Sequence, residues 1–238
     1  MRTTTVLAAL GAASIASAAP PFPPKPFPPG GSGNLTKNPF EGKKLFANPE
    51  WAAKLEQTYE SFVAQGDSVN AANVRKVQKQ GTFVWVSNIA SLSNIDAAIA
   101  AARQEQLKTR KKQIVGLVLY NLPDRDCSAG ESAGELKSSE GGLQRYKEEY
   151  VNVYAQKVAS APDLEFAIVL EPDSLANLVT NMGIEACANA APVYEEGIAY
   201  AIQRLQVPNV HLYIDASHGG WLGWADNLPL GKTSSSPL

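Results

Sequence analysis

A chain of 238 residues with a formal net charge of −2 carries no excess of positive charge. That argues against a dedicated nucleic-acid or anionic-membrane binder, because such proteins present a strong basic patch. No stretch approaches the roughly 20 consecutive apolar residues that a membrane-spanning helix needs.

The chain opens with Arg2, an apolar stretch from Val6 to Ile15 and the small-residue run Ala16 to Ala19. Residues 1–19 therefore read as a secretory signal peptide, and the expected location is extracellular. Residues 20–37 are rich in proline and glycine at first and read as an extended linker. Asn34-Leu35-Thr36 makes Asn34 a glycosylation sequon in an exposed segment.

From residue 38 short apolar runs alternate with longer amphipathic ones, the signature of strand-helix units and a parallel sheet. Four strands are predicted, at 83–87, 115–120, 166–170 and 210–214. Helices are predicted near 94–110, 142–159, 174–182 and 192–205, with Ser174 as an N-cap and Gly183 as a stop. The basic run Lys108 to Lys112 falls where the first of these helices ends, so it reads as a complement to the helix dipole. Residues 38–226 are read as one folded region and 227–238 as an unstructured tail.

Each predicted strand ends in polar or aromatic residues: Trp85 and Ser87, then Tyr120 through Asp126, then Glu171 and Asp173, then Asp215 and His218. In barrels of strand-helix units that end carries the active site, so the four tips suggest one cleft. A closed barrel of this type needs about eight strands and about 250 residues. Four predicted units leave an open parallel edge, which natural domains avoid. The expectation is a truncated chain.

Asp126 and Asp173 follow successive strands. Two carboxyl groups at adjacent strand ends can raise the pKa of one and keep it protonated near neutral pH, which makes a general acid. A helix cap and a surface salt bridge with Arg125 would account for the same two residues. Cys127 and Cys187 are the only cysteines, and in an oxidising compartment the natural inference is that they pair, the alternative being two free thiols. A bridge closing a loop of about 60 residues would stabilise the fold by roughly 4 kcal/mol. It would also tie the two acid-bearing loops together. Two histidines and two paired cysteines assemble no metal site, so neither metal nor cofactor is expected.

Three segments are distinctive: Val118 to Cys127 (VLYNLPDRDC), Leu170 to Leu178 (LEPDSLANL) and Tyr213 to Trp224 (YIDASHGGWLGW). They resemble motifs of glycoside hydrolase family six, the fungal cellobiohydrolases and endoglucanases. The resemblance runs from about residue 38 to about 226. It implies an α/β fold, a distorted barrel of parallel strands of which only the N-terminal part is present, and inverting cleavage of β-1,4-glucan. It also implies that Asp173 is the proton donor and Asp126 the carboxylate that raises the donor's pKa. Tyr120 matches a tyrosine that presses on the distorted sugar, Arg125 an arginine that holds the carboxylates, and Ser132 a loop serine linked to the attacking water. Trp85, Ser87, His218, Trp221 and Trp224 match positions lining sugar subsites, with Asp215 beside them. Cys127 and Cys187 match a family disulfide.

Flat indole rings suit the apolar C–H faces of glucose, although tryptophans can equally fill a core, and His218 can equally be a histidine bonded to Asp215. Asn121 and Ser87 stand where the family commonly has aspartates. The expected partner is cellulose or its oligosaccharides, bound by a monomer. The family's later strands carry the candidate base, so little activity is expected of this chain. A non-catalytic secreted glucan binder is the alternative, and a fragment that never folds is a third possibility.

Overall fold

The computed structural model describes residues 38–234. The expected signal peptide, the expected linker and the Asn34 sequon lie outside them. Strand β1 (Lys44–Leu45) leads into α1 (Pro49–Ala64) and α2 (Ser68–Val77). These two helices were not predicted, though their starts carry ordinary signals. Asn48 accepts from the Glu50 N–H ahead of Pro49 in the first turn, and Asp67 accepts from the Asn70 N–H at 2.9 Å. Side-chain caps of this kind satisfy N–H groups that a helix leaves open.

Next come β2 (Val84–Val86), α3 (Ser93–Thr109) and β3 (Gln113–Leu119). Helix α3 buries Ile95, Ala98, Ile99 and Ala102, a stripe at the helical period, and ends at Arg110 in a left-handed conformation. Lys108 and the residues after it therefore do sit at a helix C-terminus. Strand β3 is buried along its whole length, as a strand covered on both faces must be. Gly116 is required there, because a Cβ at that position would meet the Phe83 ring at 2.8 Å.

Helix α4 (Gly142–Arg145), a π-helical segment (Tyr146–Val151) and α5 (Asn152–Ala159) run on continuously. They bring the fully buried Tyr146, Tyr150 and Tyr154 onto one face. Strand β4 (Glu165–Leu170), α6 (Ser174–Thr180), α7 (Glu185–Arg204), β5 (Val210–Ile214) and α8 (Leu228–Ser234) complete the described chain. All strand pairings are parallel. The order is β1-β3-β4-β5, with β2 also on β3; β1 pairs with the start of β3 and β2 with its end. Among the described residues the sheet is open, and β5 is its edge.

Several boundaries correct the sequence-based expectation. Ser174 is not the cap of α6: Asp173 holds that position with φ 67°, and the Ser174 hydroxyl donates to the Glu171 carbonyl at 2.6 Å. Gly183 is not the stop; the helix ends at Asn181, whose side chain donates to Asn177 Oδ1 at 2.7 Å. Helix α7 starts seven residues earlier than position 192, since the alanine-rich turn around Cys187 is helical and Pro192 lies inside the helix. The tail is not wholly unstructured. Trp224 and Asn227 carbonyls accept from the Leu228 and Gly231 N–H groups, and α8 packs against α6.

Candidate active site

The C-terminal tips of β2, β3, β4 and β5 converge, and their backbone is unusual. Asp124, Asp126, Glu171, Asp173 and Ser217 all have positive φ, a region that L-residues with side chains enter at a cost. Such strain persists only where surrounding contacts impose it, and it clusters at functional sites. Here it marks the loops after β3, β4 and β5.

Asp173 is the residue that these loops surround. Its backbone N–H donates to Asp215 Oδ2 at 2.9 Å, and Asp215 also accepts from the Ser217 N–H at 3.2 Å. The residue as a whole is exposed, yet its carboxyl is held above the ordinary aspartate range. Partial burial of the carboxyl is the largest cause, followed by the negative charges of Asp215 and Asp126, with His218 opposing. Asp126, after β3, and Asp215, after β5, thus both bear on the carboxyl at the β4 tip between them. The Tyr120 hydroxyl is pushed up chiefly by burial, and Asp126, Asp173 and Glu171 add to the effect against Arg125.

The loop after β3 is held by many contacts. Asp126 Oδ2 accepts from the Ser132 N–H at 2.6 Å. Arg125 corrects an expectation: its hydrogen bonds go to carbonyls, not carboxylates. Nε donates to Ser132 O at 2.8 Å, and Nη1 donates to Ser87 O at 2.7 Å and to Tyr120 O. Its guanidinium also lies 4.2 Å from the centre of the Tyr120 ring. One cation thus ties the β2 tip, the β3 tip and the Ser132 segment together. The Cys127–Cys187 disulfide is formed, joining this loop to α7 across 60 residues.

The aromatic residues differ in their freedom. Trp85 is 52% exposed while its neighbours Val84 and Val86 are buried, and its ring meets the buried Tyr120 edge-on at 5.5 Å. Trp224 is 63% exposed. Trp221 is half-buried and anchored by Nε1 donating to Thr180 Oγ1 at 2.9 Å. His218 is exposed; its Nδ1 accepts from the Gly220 N–H at 3.2 Å rather than pairing with Asp215. Among the described residues no three His, Cys, Asp or Glu side chains are grouped to hold a metal ion.

A cavity of about 300 Å³ lies beside the disulfide, between Arg125, Asp126 and Cys127 on one side and Ala186, Asn189 and Ala190 on the other. The larger one, about 440 Å³ near Arg103 and Lys112, lies at the start of β3, the far end from these tips.

Sequence reasoning named Glu171 only as a polar strand end. In the structure it is buried, and its carboxyl accepts from the backbone N–H of Asn121 at 3.0 Å, that of Leu122 at 3.2 Å and the Tyr146 hydroxyl at 2.8 Å. Burial raises its pKa to about 7 against those hydrogen bonds. Asn121, also buried, donates through Nδ2 to Glu135 at 3.0 Å. An uncharged side chain there spares Glu171 a second buried charge.

Residues 40–236 match the sequence pattern of Glycosyl hydrolases family 6. The 1,4-beta-D-glucan cellobiohydrolase CEL6B of Podospora anserina is 63% identical over 230 residues, covering 97% of this chain and 54% of that protein. The structure of Endoglucanase CEL6B from Humicola insolens superposes with a TM-score of 0.79 at 52% identity, over 83% of this chain and 57% of that one. Cellobiohydrolase II (CEL6A) from Humicola insolens, in complex with glucose and cellotetraose, superposes with a TM-score of 0.76 at 32% identity, over 83% and 55%. The chain spans about half the length of the curated relatives it matches.

Proposed function

The chain belongs to glycosyl hydrolases family 6, and on that premise we propose that it supplies the proton-donating half of a secreted, inverting β-1,4-glucan hydrolase. Its parallel strands are part of the family's distorted barrel. Asp173 is the general acid: it gives its proton to the glycosidic oxygen as the bond to the departing sugar breaks. The observation that carries this assignment is the placement of Asp173 at the β4 tip, on backbone with φ 67° and with its N–H held by Asp215 of the next strand tip at 2.9 Å, where partial burial, Asp215 and Asp126 push its carboxyl up.

The other roles follow from position. Asp126 keeps the donor protonated, Arg125 fixes the loop that bears Asp126, and Ser132 closes that loop onto the Asp126 carboxylate. Tyr120 and Trp85 form an aromatic corner against which a sugar ring can press. Ser87, Asp215, His218, Trp221 and Trp224 surround the mouth and bind the glucan by stacking and by hydrogen bonds to its hydroxyls. Glucan cleavage with inversion also needs a base carboxylate across the sugar, about 6.5 to 9.5 Å from the acid. Asp173 and its neighbours are assigned the acid's part alone, so release of sugar by the 238-residue chain is expected to be slower than that by a full-length relative.

Incubating the purified chain with soluble cello-oligosaccharides tests this. The expected result is slow release of sugar that disappears in Asp173→Ala. Release that is unchanged in Asp173→Ala would remove Asp173 from the chemistry, and turnover at a full-length relative's rate would overturn the proton-donor-half assignment. The exposure of Trp85 and Trp224 favours a second reading, a secreted glucan binder that holds without cutting. Retention on insoluble cellulose with no sugar released would support it.

A further inference from the structure

Glu171 has no part in the proton transfer, yet it is the most completely enclosed carboxyl at the strand tips. It lies two residues before Asp173, on backbone with φ 41°. Across a gap of 50 residues it receives the N–H groups of Asn121 and Leu122, the first residues of the segment that continues through Arg125 to Asp126. From the helical side the Tyr146 hydroxyl donates to the same carboxyl. One turn on, the Tyr150 hydroxyl accepts from the Tyr120 N–H at 3.0 Å and donates to the Val86 carbonyl. Tyr146 and Tyr150 both lie in the π-helical segment, a local widening of the helix that recurs at functional sites.

We propose that Glu171 is the positioning residue of the acid pair, its buried carboxyl tying the backbone of the Asp126 loop to the β4 tip that carries Asp173. The inference rests on the assignment of Asp173 and Asp126 made above. Glu171 joins the two loops from beneath, where the disulfide joins one of them to α7 from outside.

The tie survives a change of protonation. When ionised, the carboxylate accepts all of these hydrogen bonds. When neutral, one oxygen still accepts from the backbone N–H groups, and the protonated oxygen can donate to Tyr146, whose hydroxyl reverses. The groups that face it are Tyr146, Tyr150 and Tyr154 from the helix, Arg125 and Tyr120 from the β3 loop, and Tyr194 from α7. Glutamine preserves this pattern. Leucine abolishes it, and Tyr146→Phe removes one of its bonds.

The test reads Asp173 itself, by carbon-13 NMR titration of its carboxyl in the 238-residue chain. Glu171→Leu and Glu171→Gln both remove the same ionisable carboxyl, so a difference between these two variants reports position and not charge. In Asp126→Asn the Asp173 midpoint falls toward the ordinary aspartate range, because a repelling charge is gone. In Glu171→Leu it falls in the same direction as the Asp126 loop drifts away, in Tyr146→Phe it falls less, and Glu171→Gln restores it. Where Glu171→Leu does not fold, Tyr146→Phe against wild type decides. A midpoint unmoved in folded Glu171→Leu, or in Tyr146→Phe where that variant decides, overturns the inference and leaves the acid pair standing. A midpoint unmoved in Asp126→Asn removes the acid pair, and the inference with it.

Discussion

The carboxylate of Asp215, just past β5, accepts the backbone N–H of Asp173 at 2.9 Å. The tip of one strand thus holds the acid-bearing turn of its neighbour. That turn has left-handed φ at both Glu171 and Asp173, so it depends on outside contacts to stay formed. Asp215→Ala removes an acceptor from two N–H groups and is expected to cost about 1 to 3 kcal/mol. Asp215→Asn keeps an acceptor oxygen and should cost clearly less. Urea denaturation of the two variants compares them.

The Cys127–Cys187 bridge closes a loop over a sequence separation of 60. Constraining the unfolded chain over that length is worth about 4 kcal/mol in the chain-entropy model. Replacing both cysteines by serine should lower stability by about that amount, read as a drop in the denaturation midpoint. The bridge also anchors the Asp126 loop, so the double variant should bind cello-oligosaccharides more weakly.

Trp85 and Trp224 expose more of their surface than any buried anchor would. A sugar ring stacked on either removes apolar area from water, worth about 1 to 2 kcal/mol. Trp85→Ala and Trp224→Ala are each expected to weaken cello-oligosaccharide binding by about 5- to 30-fold in calorimetry, with little change in thermal stability. Trp221, bonded to Thr180 and half-buried, should lose stability as well as affinity when replaced by alanine.

Glu171 sets a pH dependence of stability. Its folded pKa of about 7 lies above the ordinary glutamate value of 4.5, so the folded state binds the extra proton between these values. The stability it contributes is fully present below about pH 4.5 and is lost as pH rises through about 7, on the order of 3 kcal/mol. Denaturation midpoints of wild type and Glu171→Gln should therefore diverge over pH 4.5 to 7.5, the wild type losing more as pH rises. Groups such as Glu165 and Asp163, whose pKa values are lowered by Lys43, His211 and Arg103, act in both proteins alike and cancel.

Strands were the most legible part of the sequence, because a parallel strand covered on both faces is a short continuous apolar run. The predicted 166–170 and 210–214 match Glu165–Leu170 and Val210–Ile214 to within one residue. Strand β1 was missed: two residues, Lys44 and Leu45, carry no period, and only pairing with Gln113 and Ile114 makes them a strand. Helices α1 and α2 were overlooked although Asn48-Pro49 and Asp67 announce them; α1 buries none of its residues, so its apolar pattern is weak.

At the mouth, the residue types after each strand were readable, and Asp173 and Asp126 stand out as acids behind apolar runs. What those acids touch was not readable. Arg125 beside two aspartates suggests ion pairs, yet its partners are carbonyls of Ser87, Tyr120 and Ser132. Glu171 and Asp173 look alike in Leu170-Glu171-Pro172-Asp173. Only contacts with Asn121, Leu122 and Tyr146, far away in the chain, bury one and leave the other at the mouth.

The measurement closest to the central claim is the titration of the Asp173 carboxyl in the wild-type chain, with Asp215→Asn alongside it. A midpoint above the ordinary aspartate range that drops when the Asp215 charge is removed is the expected result. An ordinary midpoint, the same in both proteins, would contradict the assignment of Asp173 as a carboxyl that its neighbours keep protonated.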